Sequence, residues 1–142
     1  MNHQVVELVT GLLGSVGFAL LFNLRRQYLP YAALGGALCM GTYLFAVRFG
    51  AGTFFASFLA AFVSSLFAEI LARVLKAPVT LFLISTLIPL VPGSSLYYTM
   101  YSIVAGNIDV MRNYASETGL CVLGIASGIC AVTAVVSTRK TR

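Results

Sequence analysis

Polar and charged residues are confined to a few narrow places along this chain. Between them lie five apolar segments, approximately Val5–Phe22, Tyr31–Val47, Thr53–Leu71, Val79–Ala105 and Glu117–Val136. A helix needs about 20 apolar residues to cross a hydrocarbon core about 30 Å thick, and each segment comes near that length. The pattern predicts an all-α integral membrane protein, a bundle of about five transmembrane helices. The connections are short, so sequential neighbours are expected to pack antiparallel. Residues 1–142 read as a single transmembrane domain, because no polar stretch is long enough to form a second one.

The fourth segment is the unusual one. As a straight helix, Val79–Ala105 would be about 40 Å long, against a core of about 30 Å. Inside it runs Ile88-Pro89-Leu90-Val91-Pro92-Gly93-Ser94-Ser95. Pro89 has no amide for the Ser85 carbonyl, and Pro92 has none for that of Ile88, so two helical bonds are lost within one turn. Gly93 adds backbone freedom. The expected result is two half-helices, roughly Val79–Ile88 and Ser94–Ala105, broken at Pro89, Pro92 and Gly93. Lipid cannot replace lost backbone hydrogen bonds, so a break at this depth must face protein or a water-filled cavity. Transporters bind substrate at such discontinuous helices.

The chemistry expected at the break is amphoteric. A half-helix starting near Ser94 directs free amides and a positive dipole end toward the link. Ser94 and Ser95 suit the N-cap and add hydroxyls. A carboxylate fits there, while unpaired carbonyls around Ser85 and Thr86 suit an ammonium or hydroxyl group. Tyr97, Tyr98 and Tyr101 continue a polar, aromatic face. They read either as the lining of a substrate path or as an interfacial aromatic belt. The candidate substrate-binding set is therefore Ser85, Thr86, Pro89, Pro92, Gly93, Ser94, Ser95, Tyr97 and Tyr98.

Charge within the segments is scarce. Glu69 precedes Arg73 by four residues, the favourable order for a helix ion pair. It reads as a helix-end pair or, more sharply, as a proton-coupling carboxylate. Glu7 is a weaker candidate, and Asp109 and Glu117 are expected to be solvated in an outer loop and at its edge. Small residues form stripes: Ala56, Ala60, Ser64, Ala68 and Ala72 on the third segment, and Gly124-x-x-x-Gly128 on the fifth. Further glycines stand at Gly11, Gly14 and Gly17, and at Gly35, Gly36 and Gly41. Such stripes let helices approach closely, and some could line interfaces that slide during transport.

Composition agrees. The chain is 59% hydrophobic and 9% charged, with a mean hydropathy of +0.94, whereas soluble domains carry about 25% charged residues. The net charge of +5 is spread over short clusters between the apolar segments, which argues against nucleic-acid binding and for topology signals. Arg25, Arg26, Arg73, Lys76, Arg139, Lys140 and Arg142 would lie on the cytoplasmic side, with Arg48 and Arg112 opposite. That places the N-terminus outside and the C-terminus in the cytoplasm. The first segment reads as a retained span and not a signal peptide. Cys39, Cys121 and Cys130 lie in apolar segments and read as small buried residues. His3 is the one histidine, so no metal, cofactor or catalytic triad is expected and the chain does not read as an enzyme. Without a phosphate-binding loop, energy must come from an ion gradient or a partner.

Glu69-Ile70-Leu71-Ala72-Arg73, Lys76-Ala77-Pro78, Ile88-Pro89-Leu90-Val91-Pro92-Gly93 and Tyr97 together resemble the threonine/serine exporter family, specifically its small subunit, equivalent to the C-terminal half of single-chain exporters. Pro89, Pro92 and Gly93 match the signature. Tyr98 and Thr99 depart from the basic residue that often follows the signature tyrosine. The resemblance implies a multi-pass protein of the bacterial inner membrane, a secondary exporter of threonine, serine or small dicarboxylates such as succinate. It also implies a larger membrane partner subunit. Five spans cannot form two equal inverted repeats within one chain, which also argues for assembly with that subunit or with copies of itself. The alternative is a non-transporting scaffold or assembly subunit whose small-residue stripes bind partners.

Overall fold

The structure is a computed structural model and describes residues 2–140. Arg142 lies outside the described residues, as do the side chains of His3, Val5, Arg139 and Lys140. Six α-helices follow in order: α1 Asn2–Leu21, α2 Leu29–Arg48, α3 Thr53–Leu75, α4 Val79–Leu87, α5 Gly93–Val104 and α6 Ile108–Lys140. Short 3-10 turns at Arg26–Tyr28 and Ile88–Leu90 precede α2 and follow α4. Three helices, Arg26–Arg48, Thr53–Leu75 and Ile108–Thr138, are long and apolar enough to cross a membrane, and the bent pair of Val79–Leu90 and Gly93–Val104 is a fourth when counted as one span. The expected first span is helical, but its apolar part, Val6–Leu21, is shorter than the other four.

Each reversal between helices is closed by one residue in the left-handed region: Asn23, Gly50, Lys76 and Gly106, with φ of 53°, 80°, 50° and 73°. After α5, Gly106 N–H donates to the Ile103 carbonyl at 3.2 Å and Asn107 N–H to the Ser102 carbonyl at 3.0 Å. This pairing satisfies the last carbonyls of α5 and turns the chain at once. The outer loop expected up to Glu117 is thus replaced by helix. Asp109 sits in the first turn of α6, and Glu117 lies well inside it. The early start of α6 is stabilised by aromatic packing, since Tyr98 stacks on Tyr114 with ring centroids 5.2 Å apart.

Helix α3 occupies the centre, packed against α2, α4 and α6. Its stripe of Ala56, Ala60, Ser64, Ala68 and Ala72 is buried along its whole length. Beside it runs a second small face, Ser57 and Ala61, which receives α6. A Cβ placed on Gly124 would stand 2.6 Å from the Phe54 carbonyl oxygen, and one on Gly128 2.8 Å from that of Phe58. These helices meet backbone to backbone, which is why only glycine fits. On the other flank, a Cβ on Gly35 would overlap the γ-methyl of Thr86, and one on Gly36 would overlap the Ser15 hydroxyl. Gly14 and Gly17 have nothing comparable near them.

The core has two levels. At one end Ala19, Leu24, Ala32, Ala68, Leu71, Ala72 and Phe82 cluster, with Tyr28 packed against them. At the level of the break, Cys39, Ala60, Ala61, Leu87 and Leu90 form a second cluster. The rest of the apolar surface faces outward, as lipid or partner contact requires. Val104 and Leu21 are examples at 89% and 77% exposed.

Candidate functional site

The break forms as the two prolines dictate. Helix α4 tightens into the turn Ile88–Leu90, Val91 is extended with φ −63° and ψ 123°, and α5 restarts at Gly93. The two halves make an angle of 55°. Local bonds absorb part of the loss: Val91 N–H donates to the Ile88 carbonyl at 3.1 Å, and Gly93 N–H to the Val91 carbonyl at 2.8 Å. The Ile88 carbonyl, deprived by Pro92, is thereby satisfied. Pro92 itself occupies the N-cap, and its carbonyl accepts from Leu96 N–H at 3.1 Å. Ser94 and Ser95, expected at the cap, therefore stand in the first turn of α5, two and three places past the observed cap. Their amides belong to the set that a helix cannot pair within itself.

Beside the break lies a cavity of about 170 Å³ lined by Met40, Tyr43, Thr53, Pro89, Leu90, Val91, Pro92, Ser94, Ser95, Glu117 and Cys121. It is well below the ~300–1,000 Å³ of drug-sized pockets, so it suits a molecule of few heavy atoms. Its floor is held by a relay of weak bonds. Ser57 Oγ–H donates to Cys121 Sγ at 3.3 Å, and the Cys121 thiol donates to the Leu90 carbonyl at 3.6 Å. The relay ties α3 and α6 to the broken segment. A Cβ on Gly11 would stand 3.5 Å from the Pro89 ring, so α1 supports the break from the other side. Tyr43 lies in the last turns of α2 and Thr53 opens α3, which places the cavity toward the end of the bundle where those helices turn.

The expected site residues divide. Pro89, Pro92, Ser94 and Ser95 line the cavity, and Gly93 links them at the start of α5. Ser85 and Thr86 are fully buried and lie outside the lining. Their hydroxyls donate to the Leu81 carbonyl at 2.8 Å and the Leu83 carbonyl at 3.1 Å. Tyr97 and Tyr98 lie on the outer surface of α5, 64% and 46% exposed, in an aromatic row where Tyr97 stacks on Tyr101. Glu69 pairs with Arg73 at 3.6 Å, four residues on and away from the cavity.

Three polar residues outside the expected set line it as well, one of them Thr53 at the start of α3. Tyr43 comes from α2 and Glu117 from α6, and Glu117 is exposed there. Glu117, Cys121, Gly124 and Gly128 recur at spacings of four, three and four, which is one face of a helix. The two glycines fix that face against α3. Carried one turn further, the same spacing points to Glu117.

Comparison with known proteins gives one family: that described as Threonine/Serine exporter, ThrE, matches residues 7–135, a stretch holding the break and every residue of the cavity. No solved structure matches the chain.

Proposed function

The chain belongs to the threonine/serine exporter family, and from that premise we propose that it is one membrane subunit of a secondary transporter exporting small hydrophilic metabolites. Its cargo is a threonine- or serine-type amino acid or a small dicarboxylate such as succinate, and a larger membrane subunit supplies the rest of the path. The observation that carries this reading is the cavity at the broken span. It is lined by Ser94, Ser95, Tyr43, Thr53 and Glu117, which bring hydroxyls and a carboxylate together beside the break.

The mechanism follows from the backbone. The amides of Ser94 and Ser95, at the positive end of the 12-residue helix α5, receive the substrate carboxylate. The serine hydroxyls and Thr53 take up the polar side chain. Rocking of the broken span against its neighbours would expose this cavity to the two sides in turn, as alternating access requires. The protein resides in the inner membrane as a multi-pass subunit, with its N-terminus outside. The scaffold alternative rested on the small-residue stripes as partner surfaces. The α3 stripes and the Gly124/Gly128 face are instead filled within the chain.

The test is efflux of labelled threonine, serine and succinate from cells with and without this chain. Export of at least one of them should depend on it. Equal fluxes of all three in both strains would refute the reading.

A further inference from the structure

We infer that Glu117 is a specificity-determining residue of this cavity, the group that receives the substrate's ammonium and turns away dianions. The inference rests on the transport reading above and adds a residue to it. Glu117 is the one acidic side chain among the residues lining the cavity, and none of those residues is basic. Among the described residues it has no ion-pair partner, whereas Glu69 is matched to Arg73. The other polar atoms of the lining are hydroxyls and a thiol, which cannot neutralise it.

The position is built and not incidental. Cys121 lies one turn further along the same face and is anchored to Ser57 and to the Leu90 carbonyl. Gly124 and Gly128 lock the face against α3, with backbone atoms within 3 Å of where their side chains would begin. This packing sets which face of α6 turns toward the cavity, and the exposed Glu117 lies on that face. Tyr43 lines the same cavity from α2. A carboxylate lining the same small cavity as the amide end of α5 offers one group for each charge of a zwitterion. A second carboxylate on the ligand would meet Glu117 as a like charge, which disfavours dicarboxylates.

The experiment measures threonine and succinate efflux from cells making the whole transporter with wild-type, E117Q or E117D chain, normalised to the amount in the membrane. Wild type should export threonine in preference to succinate. E117Q should lower the threonine-to-succinate ratio by roughly tenfold or more, as expected for losing a charge-assisted hydrogen bond. E117D should keep the ratio within about threefold. A second arm leaves Glu117 intact and follows protection of Ser94→Cys from a polar thiol reagent. Threonine should protect at least about tenfold better than 2,3-dihydroxybutyrate, in which a hydroxyl replaces the ammonium. Equal protection overturns the role of Glu117, and so does threonine export with an unchanged ratio in E117Q. Wild type exporting succinate alone also overturns it. Wild type exporting neither solute refutes the transport reading itself, and the role of Glu117 with it.

Discussion

Cys121 and Leu90, 31 residues apart in the chain, meet where the thiol of α6 donates to the carbonyl of the broken segment at 3.6 Å. The bond closes a relay that begins at Ser57 and fixes the break to the two most tightly packed helices of the bundle. Thiols are weak donors, so the relay acts by placement more than by strength. Cys121→Val should destabilise the protein by about 1 kcal/mol, the cost of leaving a buried carbonyl without its donor. Cys121→Ser, which keeps a donor, should cost less. Thermal unfolding in detergent compares the two.

The α3–α6 contact has no room for side chains. Gly124→Leu would drive atoms into the Phe54 carbonyl and the Ser57 Cβ, 2.6 and 2.9 Å from the first added carbon. A loss of at least about 2 kcal/mol is expected, because backbone cannot yield as a side chain can. Gly119→Ala, with nothing within 4 Å, should be neutral or stabilising by up to about 1 kcal/mol. The fraction of monodisperse protein after extraction reads out both.

Gly35 and Thr86 form a pair that can be tested by compensation. A methyl at position 35 would overlap the Thr86 γ-methyl and lie 3.2 Å from the Phe67 ring. Gly35→Ala alone should cost about 1–3 kcal/mol. Adding Thr86→Ser removes the offending methyl and keeps the hydroxyl bond to the Leu83 carbonyl. The double variant should recover a measurable part of the loss, and additivity of the two changes would contradict the packing described.

Glu69 separates the two readings its position allows. In the structure it forms an ion pair with Arg73, whose side chain is 61% exposed. The Glu69 side chain is 20% exposed, and an i,i+4 helix pair screened by solvent on its Arg73 side is worth about 0.3–0.5 kcal/mol. Glu69→Gln should therefore leave stability and efflux close to wild type, whereas a proton-coupling carboxylate would lose gradient-driven export on that change. Efflux measured with and without a pH gradient decides between them.

Hydropathy made most of the bundle readable. The broken span was legible to within about one residue at its ends, because proline and glycine act through the backbone and need no tertiary context. The stripe from Ala56 to Ala72 was legible for the same local reason. The helical start of α6 was not, since the polar run from Asn107 to Ser116 reads as a loop unless the turn at Gly106 and the stacking of Tyr98 on Tyr114 are known. Ser85 and Thr86 were placed near the site because their carbonyls flank Pro89. Their side chains instead turn back on α4, a choice open to any serine or threonine in a helix. Glu117 reads as a solvated charge at the edge of an apolar run, and it is exposed in the structure as well as lining the cavity. Its spacing to Cys121, Gly124 and Gly128 carried the missing information, and only the contact with α3 gives that spacing a direction.

The central claim is that the cavity at Pro89–Ser95 holds the transported solute. Its most direct test is the reaction of Ser94→Cys with a polar thiol reagent, in a chain where Cys39, Cys121 and Cys130 have been replaced by serine. Ser64→Cys, at a fully buried position, serves as the comparison. The account predicts that the residue at 94 reacts much faster than the one at 64, and that threonine slows its reaction saturably. Equal rates at the two positions, or a rate at 94 that threonine leaves unchanged, would contradict it.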